Sequence, residues 1–257
     1  MTLRSVAFPT EHGGWGFTFE PILLGLLVAP TATGWELGVA ATAIFLARRP
    51  VKLVGTDLVR RRWLGRSRAA LAVAAVYGLV AVAGVVGAFV THRGPFWWPP
   101  IAAIPLAAVS LRADVHSRNR GLIPQSSGAI AMGSTVAAIA MGAGWDWVPS
   151  FGLWGVLAAR DLAAIVLARG MVRRFKAKVV PERPILATQM VAIAATAAIA
   201  AAGAAPWLSV LAMALLGVAA VVSLGRPPVP APAVGWTQIG IGLVVVLLTA
   251  LGVRLGW

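Results

Sequence analysis

The sequence predicts an all-α, polytopic transmembrane helical bundle of about nine spans, N-terminus inside and C-terminus outside, on three observations. Of its 257 residues, 59% are hydrophobic and 12% charged, with a mean hydropathy of +0.85, whereas a soluble domain carries about 25% charge. The apolar runs have the length a helix needs to cross a bilayer, roughly 17 to 25 residues, and Pro, Gly or charge clusters separate them. The charge is also one-sided. With the N-terminus inside, every Lys and Arg except Arg93, Arg160 and Arg254 falls on the cytoplasmic side, where short loops retain basic residues.

The spans are expected near 17–33, 35–57, 69–91, 96–111, 122–143, 148–168, 185–203, 206–224 and 234–253. Pro30 and Gly34 leave only a tight turn between the first two, and Glu20 lies inside the first. The second runs into Arg48, Arg49 and Lys52 and ends at Asp57. The fourth is short and opens with Pro95-Phe96-Trp97-Trp98-Pro99-Pro100, which reads as an interfacial aromatic belt. The fifth carries Gln125-Ser126-Ser127-Gly128, small polar residues suited to helix packing. Trp35, Trp97, Trp98, Trp145, Trp147, Trp207, Trp236 and Trp257 are assigned to outer span ends. Asp57 and Asp161, four spans apart and each followed by a basic stretch, suggest two four-helix halves plus one helix. The chain is expected to form a single integral membrane domain, 1–257, with a short cytoplasmic segment, 1–16, in a multi-pass arrangement in the plasma membrane. Residues 1–17 lack the apolar core of a cleaved signal peptide.

The formal net charge of +14 does not indicate nucleic acid, because the basic residues form short clusters between apolar runs rather than one face of a soluble fold. With no cysteine, thiolate catalysis, iron–sulfur ligation and disulfides are excluded. His12, His92 and His116 show no metal-ligand spacing. Gly-x-Ser-x-Gly, P-loop and dinucleotide fingerprints are absent as well. No catalytic residue is assigned.

An ionisable group at membrane depth costs about 2.5 to 3.5 kcal/mol on insertion scales, so each one is a functional candidate. Glu11, His12 and Glu20 form one expected wall of a cytoplasm-facing cavity. Arg48, Arg49, Lys52 and Asp57 form the second, and Asp161 with Arg169 the third. Arg112, Arg118 and Arg120 would cover the mouth. Arg49, Lys52 and Thr56 share a helical face, where two cations and a hydroxyl suit a phosphate or carboxylate. Each group also has a structural alternative. Glu11 and Glu20 pair with arginines; the basic side chains snorkel to the headgroups; Asp57 pairs with Arg60 or Arg61 at i,i+3 or i,i+4, and Asp161 with Arg160.

The stretch Pro9-Thr10-Glu11-His12-Gly13-Gly14-Trp15-Gly16, followed by Glu20-Pro21-Ile22-Leu23-Leu24-Gly25-Leu26, resembles the YwiC-like family of bacterial integral membrane proteins. Arg48-Arg49-Pro50 and the basic segment around Arg173 and Arg174 fit the same pattern. The resemblance implies a membrane protein and supplies no activity. More distantly, nine spans with charged loops after the second and sixth are similar to the layout of UbiA-type intramembrane prenyltransferases. In those enzymes aspartate-rich motifs at these places bind Mg²⁺ and an isoprenyl diphosphate. Here Asp57 and Asp161 are the only matching acids, a poor Mg²⁺ cage. No cofactor is therefore expected, with Mg²⁺ the one ion the resemblance would bring.

The leading expectation is a bundle that binds an anionic amphiphile, an isoprenoid or lipid phosphate, with transfer of a group from it as the further option. The rivals are a transporter or permease for a small anion, and a non-catalytic membrane partner subunit. Membrane lipids are expected contacts in every case, and nucleic acid in none.

Overall fold

The computed structural model describes residues 6–8, 12–92, 94–116 and 121–256. Among them are nine helices and no strand: α1 (His12–Val28), α2 (Ala32–Val59), α3 (Gly65–Thr91), α4 (Trp98–Val115), α5 (Leu122–Gly142), α6 (Trp147–Phe175), α7 (Glu182–Ala201), α8 (Trp207–Gly225) and α9 (Ala231–Arg254). Every expected span is matched by one helix. Six helices, α3 and α5 to α9, are long and apolar enough to cross a membrane. The remaining three, α1, α2 and α4, each contain an internal proline: Pro21, Pro50 and Pro105. A proline there removes one backbone hydrogen bond and is tolerated where neighbouring helices enclose the freed group. The same three helices carry Glu20, Arg48, Lys52, Asp57 and Asp114.

Local chemistry sets the helix ends. The Thr31 hydroxyl caps α2 by accepting from the Gly34 N–H at 3.1 Å. Arg61 adopts a left-handed φ of 51°, which stops α2 at Val59 and turns the chain into α3. The prolines at the start of α4 need no N–H partner there. The chain after α8, Arg226-Pro227-Pro228-Val229-Pro230, keeps helix from resuming until Ala231.

The helices pack as an antiparallel succession around α5 and α6. α5 touches α1, α2, α4 and α6, while α6 touches α1, α5, α7, α8 and α9. α9 lies beside α1 and runs parallel to it, because the Arg254 guanidinium near its end donates to the Leu27 carbonyl near the end of α1. Leu24, Val136, Leu153, Leu157, Val246 and Ala250 form a core shared by α1, α5, α6 and α9. Lipid tails are as apolar as these side chains, so close packing and interhelical polar contacts hold the bundle rather than exclusion of water. Small residues permit that closeness. A Cβ at Gly84 of α3 would come within 2.6 Å of the Glu36 carbonyl of α2, and this seam is α3's main attachment to the bundle. Only 11% of the most apolar window of α3 is buried, against 61% for α6, which leaves α3 facing lipid.

The two ends of the bundle differ. One carries Arg48, Lys52, Asp57, Arg66, Arg112, Arg169 and Arg174. The other carries Trp35, Trp98, Trp147 and Trp207 at the starts of α2, α4, α6 and α8. Trp236 is a correction to the expected outer belt. It lies in the second turn of α9, which begins after the basic Arg226, so it belongs to the basic end.

Candidate functional site

Two polar clusters stand out, one at mid-height and one at the basic end. The first lies midway along α6. Arg160, 1% exposed, extends its guanidinium toward α1 and α9. Its Nη2 donates to Glu20 Oε1 at 2.7 Å and to the Gln238 carbonyl at 2.8 Å, and its Nη1 donates to Asp161 Oδ1 at 3.3 Å. The Phe17 ring of α1 lies 5.4 Å from the guanidinium carbon, within cation–π range. Glu20 and Asp161 are both buried. Two atoms of this cluster, Glu20 Oε2 and Arg160 Nε, are buried without a hydrogen-bond partner, as is the side-chain Oε1 of Gln238. Gly242 of α9 makes room for the group, since a Cβ there would fall on Arg160 Nη2 and Glu20 Oε1.

The second cluster joins α2 to α4. Asp114, 1% exposed, accepts from Arg48 Nε at 2.6 Å through Oδ2, and its Oδ1 faces Lys52 Nζ at 3.7 Å. Arg48 and Lys52 sit one turn apart on the same face of α2. About a third of each side chain remains exposed. The Thr56 hydroxyl, one turn further, donates to the Val115 carbonyl at 3.2 Å. Arg112 is exposed beside them.

Asp57 takes a third position. Its carboxylate accepts from Arg66 at 2.6 and 3.0 Å and from the Ser67 hydroxyl at 2.8 Å. Ser67 in turn accepts from the Leu64 N–H at 3.1 Å, so Asp57 fastens the start of α3. A helix needs about 20 residues to cross a hydrocarbon layer of about 30 Å, and Asp57, in the last turn of α2, lies past that depth. The Arg66 hydrogen bond, then that from Ser67, holds its carboxyl down at about 2. On the far side of the basic end, Arg169 of α6 donates to Gln125 Oε1 of α5 at 2.9 Å.

The expected walls are thus distributed over separate clusters. Glu20 faces Arg160, Lys52 and Arg48 face Asp114, Asp57 faces Arg66, and Arg169 faces Gln125. Glu11, Arg118 and Arg120 lie outside the described residues, and of His12 only the backbone at the start of α1 is described. Asp57 does not use Arg60 or Arg61, because i,i+3 and i,i+4 pairing needs a helix that continues and α2 ends at Val59. Asp161 does meet Arg160, as its adjacency suggested.

The proposed echo of Asp57 and Asp161 fails in register. Asp57 ends α2 while Asp161 is at the middle of α6. Each is engaged by an arginine, and no group of three or more His, Cys, Asp or Glu suited to a metal occurs among the described residues.

No curated protein and no solved structure matches the chain. The family model described as YwiC-like protein matches residues 8–140, which takes in Glu20, the Arg48–Lys52–Asp114 cluster and Asp57. That match spans just over half of the sequence, and the chain belongs to the YwiC-like family.

Proposed function

We propose that the protein binds the phosphate headgroup of an anionic amphiphile, an isoprenoid or lipid phosphate, at its basic end on the cytoplasmic face of the cell membrane. The observation that carries this reading is the charge of the α2–α4 cluster: two cations, Arg48 and Lys52, share one buried carboxylate, Asp114. Both cationic side chains keep about a third of their surface exposed. A guanidinium and an ammonium so placed suit a phosphate, and Arg49, Arg60, Arg61, Arg62 and Arg112 add to the field at that end. Val51, Leu58 and Val59 are exposed on the same stretch of α2 and offer apolar surface for the tail.

Group transfer from the bound molecule would be a further step, in the manner of the UbiA-type enzymes. With Asp57 tied to Arg66 and Ser67, it would have to proceed without an aspartate-held metal. A permease for a small anion would need positive charge at mid-height, and the ionised Glu20, Arg160 and Asp161 sum to one negative charge there.

Native mass spectrometry of the full chain from mild detergent, with extraction of bound lipid, tests the reading. The expected result is a stoichiometric phosphate-bearing amphiphile that is lost in the R48Q/K52Q/D114N variant, in which the cluster loses both cations while no buried carboxylate is stranded. A wild-type protein that carries none, or a variant that keeps as much, would refute it.

A further inference from the structure

We propose that the Glu20–Arg160–Asp161 cluster is a proton-binding site that holds one exchangeable proton per chain, shared between the two carboxyl groups. Its residues are separate from those at the basic end, so it stands or falls independently of headgroup binding.

The argument begins with charge. Fully ionised, the cluster contains two carboxylates and one guanidinium, and all three residues are buried within helices. Among the described residues of the packed elements, nothing offsets the surplus. α5 and α8 contain no ionisable residue, and α9 has only Arg254 at its end, bound to the Leu27 carbonyl. α7 has only Glu182 and Arg183 in its first turn. On α6 the next cations are Arg169, Arg173 and Arg174, toward the basic end. On α2, Glu36 accepts from Thr91, Arg48 and Lys52 face Asp114, Asp57 faces Arg66, and Arg49 lies among them near the basic end. α1 adds only His12, at its first position, more than two turns from Glu20. A net charge in a medium of low dielectric is expensive, and two carboxylates beside one cation do not both ionise cheaply. One proton restores neutrality.

Hydrogen bonding gives an independent count. Glu20 Oε2 and Gln238 Oε1 are both buried acceptors with no donor. A native interior leaves few such atoms. Protonation of Glu20 on Oε2 removes the charge from a buried oxygen to which nothing donates.

Packing decides between a proton and a metal cation. A sodium or calcium ion needs about six oxygen ligands and space to seat them. Here the position opposite the cluster is a glycine whose Cβ would already overlap Arg160 and Glu20, and among the described residues no third His, Cys, Asp or Glu joins these two carboxyl groups in a metal-binding group. Because the two carboxyl groups share one cation, their titration belongs to the pair rather than to either residue.

Infrared difference spectroscopy of the full chain in lipid vesicles, taken from mildly acidic to mildly alkaline pH, reads the site directly. In wild type, a protonated-carboxyl C=O band should be present at neutral pH, shift in D₂O and disappear as the pH rises. Isotope labelling of glutamate or aspartate assigns it without any substitution. Glu20→Gln and Asp161→Asn each remove one negative charge, so the remaining carboxyl should ionise against Arg160 and the band should vanish in either variant. Absence of the band from wild type, or its persistence at full strength in both variants, overturns the proposal. Loss of the band on adding sodium at constant pH would overturn it too, because the site would then take a cation.

Discussion

Arg160 Nη2 meets Glu20 Oε1 at 2.7 Å across 140 positions of sequence, joining the middle of α6 to the middle of α1. No other basic side chain of the described interior serves Glu20, so the pair concentrates the electrostatic dependence of the bundle on one residue.

Arg160→Leu should therefore be among the most damaging single substitutions. It leaves the two buried carboxyl groups without their cation, and removing one partner of a buried ion pair costs about 3–5 kcal/mol. Thermal unfolding in detergent should show a large fall in midpoint. Arg160→Lys should recover only part of it, because an ammonium cannot reproduce the planar fork that reaches Glu20, Asp161 and the Gln238 carbonyl together.

Gly242→Ala tests the tightness of the same place by volume alone. The added methyl meets Arg160 and Glu20, and overpacking of this kind costs about 1–3 kcal/mol. Gly240→Ala is the matched control two positions away, with nothing within 4 Å of its Cβ. It should leave the unfolding midpoint unchanged in the same detergent series.

Asp57 should give the bundle an acid-sensitive contribution. Its carboxyl lies at about 2, below the ordinary 3.8. A group depressed in the folded state contributes stability that is fully present above the unfolded value and is lost as pH falls toward the folded one. Wild type should therefore lose stability between about pH 5 and pH 2, and Asp57→Asn should flatten that part of the profile while lowering the plateau above it. An unfolding series in detergent at stepped pH distinguishes the two effects.

Asp114→Asn should act in the opposite direction on ligand and on fold. Arg48 and Lys52 lose their shared counter-charge, so the basic end gains one positive charge and should retain more anionic lipid, with a steeper dependence on ionic strength. The α2–α4 contact should weaken at the same time. Lipid retention by native mass spectrometry at two salt concentrations separates these outcomes.

The nine helices are legible in the sequence because bilayer-length apolar runs and their Pro, Gly and Arg boundaries carry most of the information, and each expected span overlaps its helix. The clusters are less legible, for particular reasons. Arg160, with Asp161 beside it, interrupts an apolar run, as Glu20 does, yet charge-sidedness treats it only as an exception to topology. Its role depends on three helices meeting, which no local pattern encodes. Asp114 reads as part of a solvated loop because the fourth span is expected to end at 111. α4 continues to Val115, which turns that carboxylate inward toward α2. Asp57 acquires Arg66 rather than its nearer neighbours because the left-handed Arg61 ends the helix on which those neighbours would have aligned.

The separation of Glu20 and Arg160 along the chain also orders the birth of the protein. α1 is only 17 residues long, about 26 Å at 1.5 Å per residue, and it emerges from the ribosome with an acid at its centre and five helices to go before its counter-ion is made. Alone in the bilayer, that acid costs about 2.5 to 3.5 kcal/mol, and a short hydrophobic length does little to offset it. α1, synthesised well before its partner, is therefore among the last to be seated, entering its place beside α5 and α9 only when α6 delivers Arg160. A nascent chain halted before α6 should leave α1 at the membrane surface.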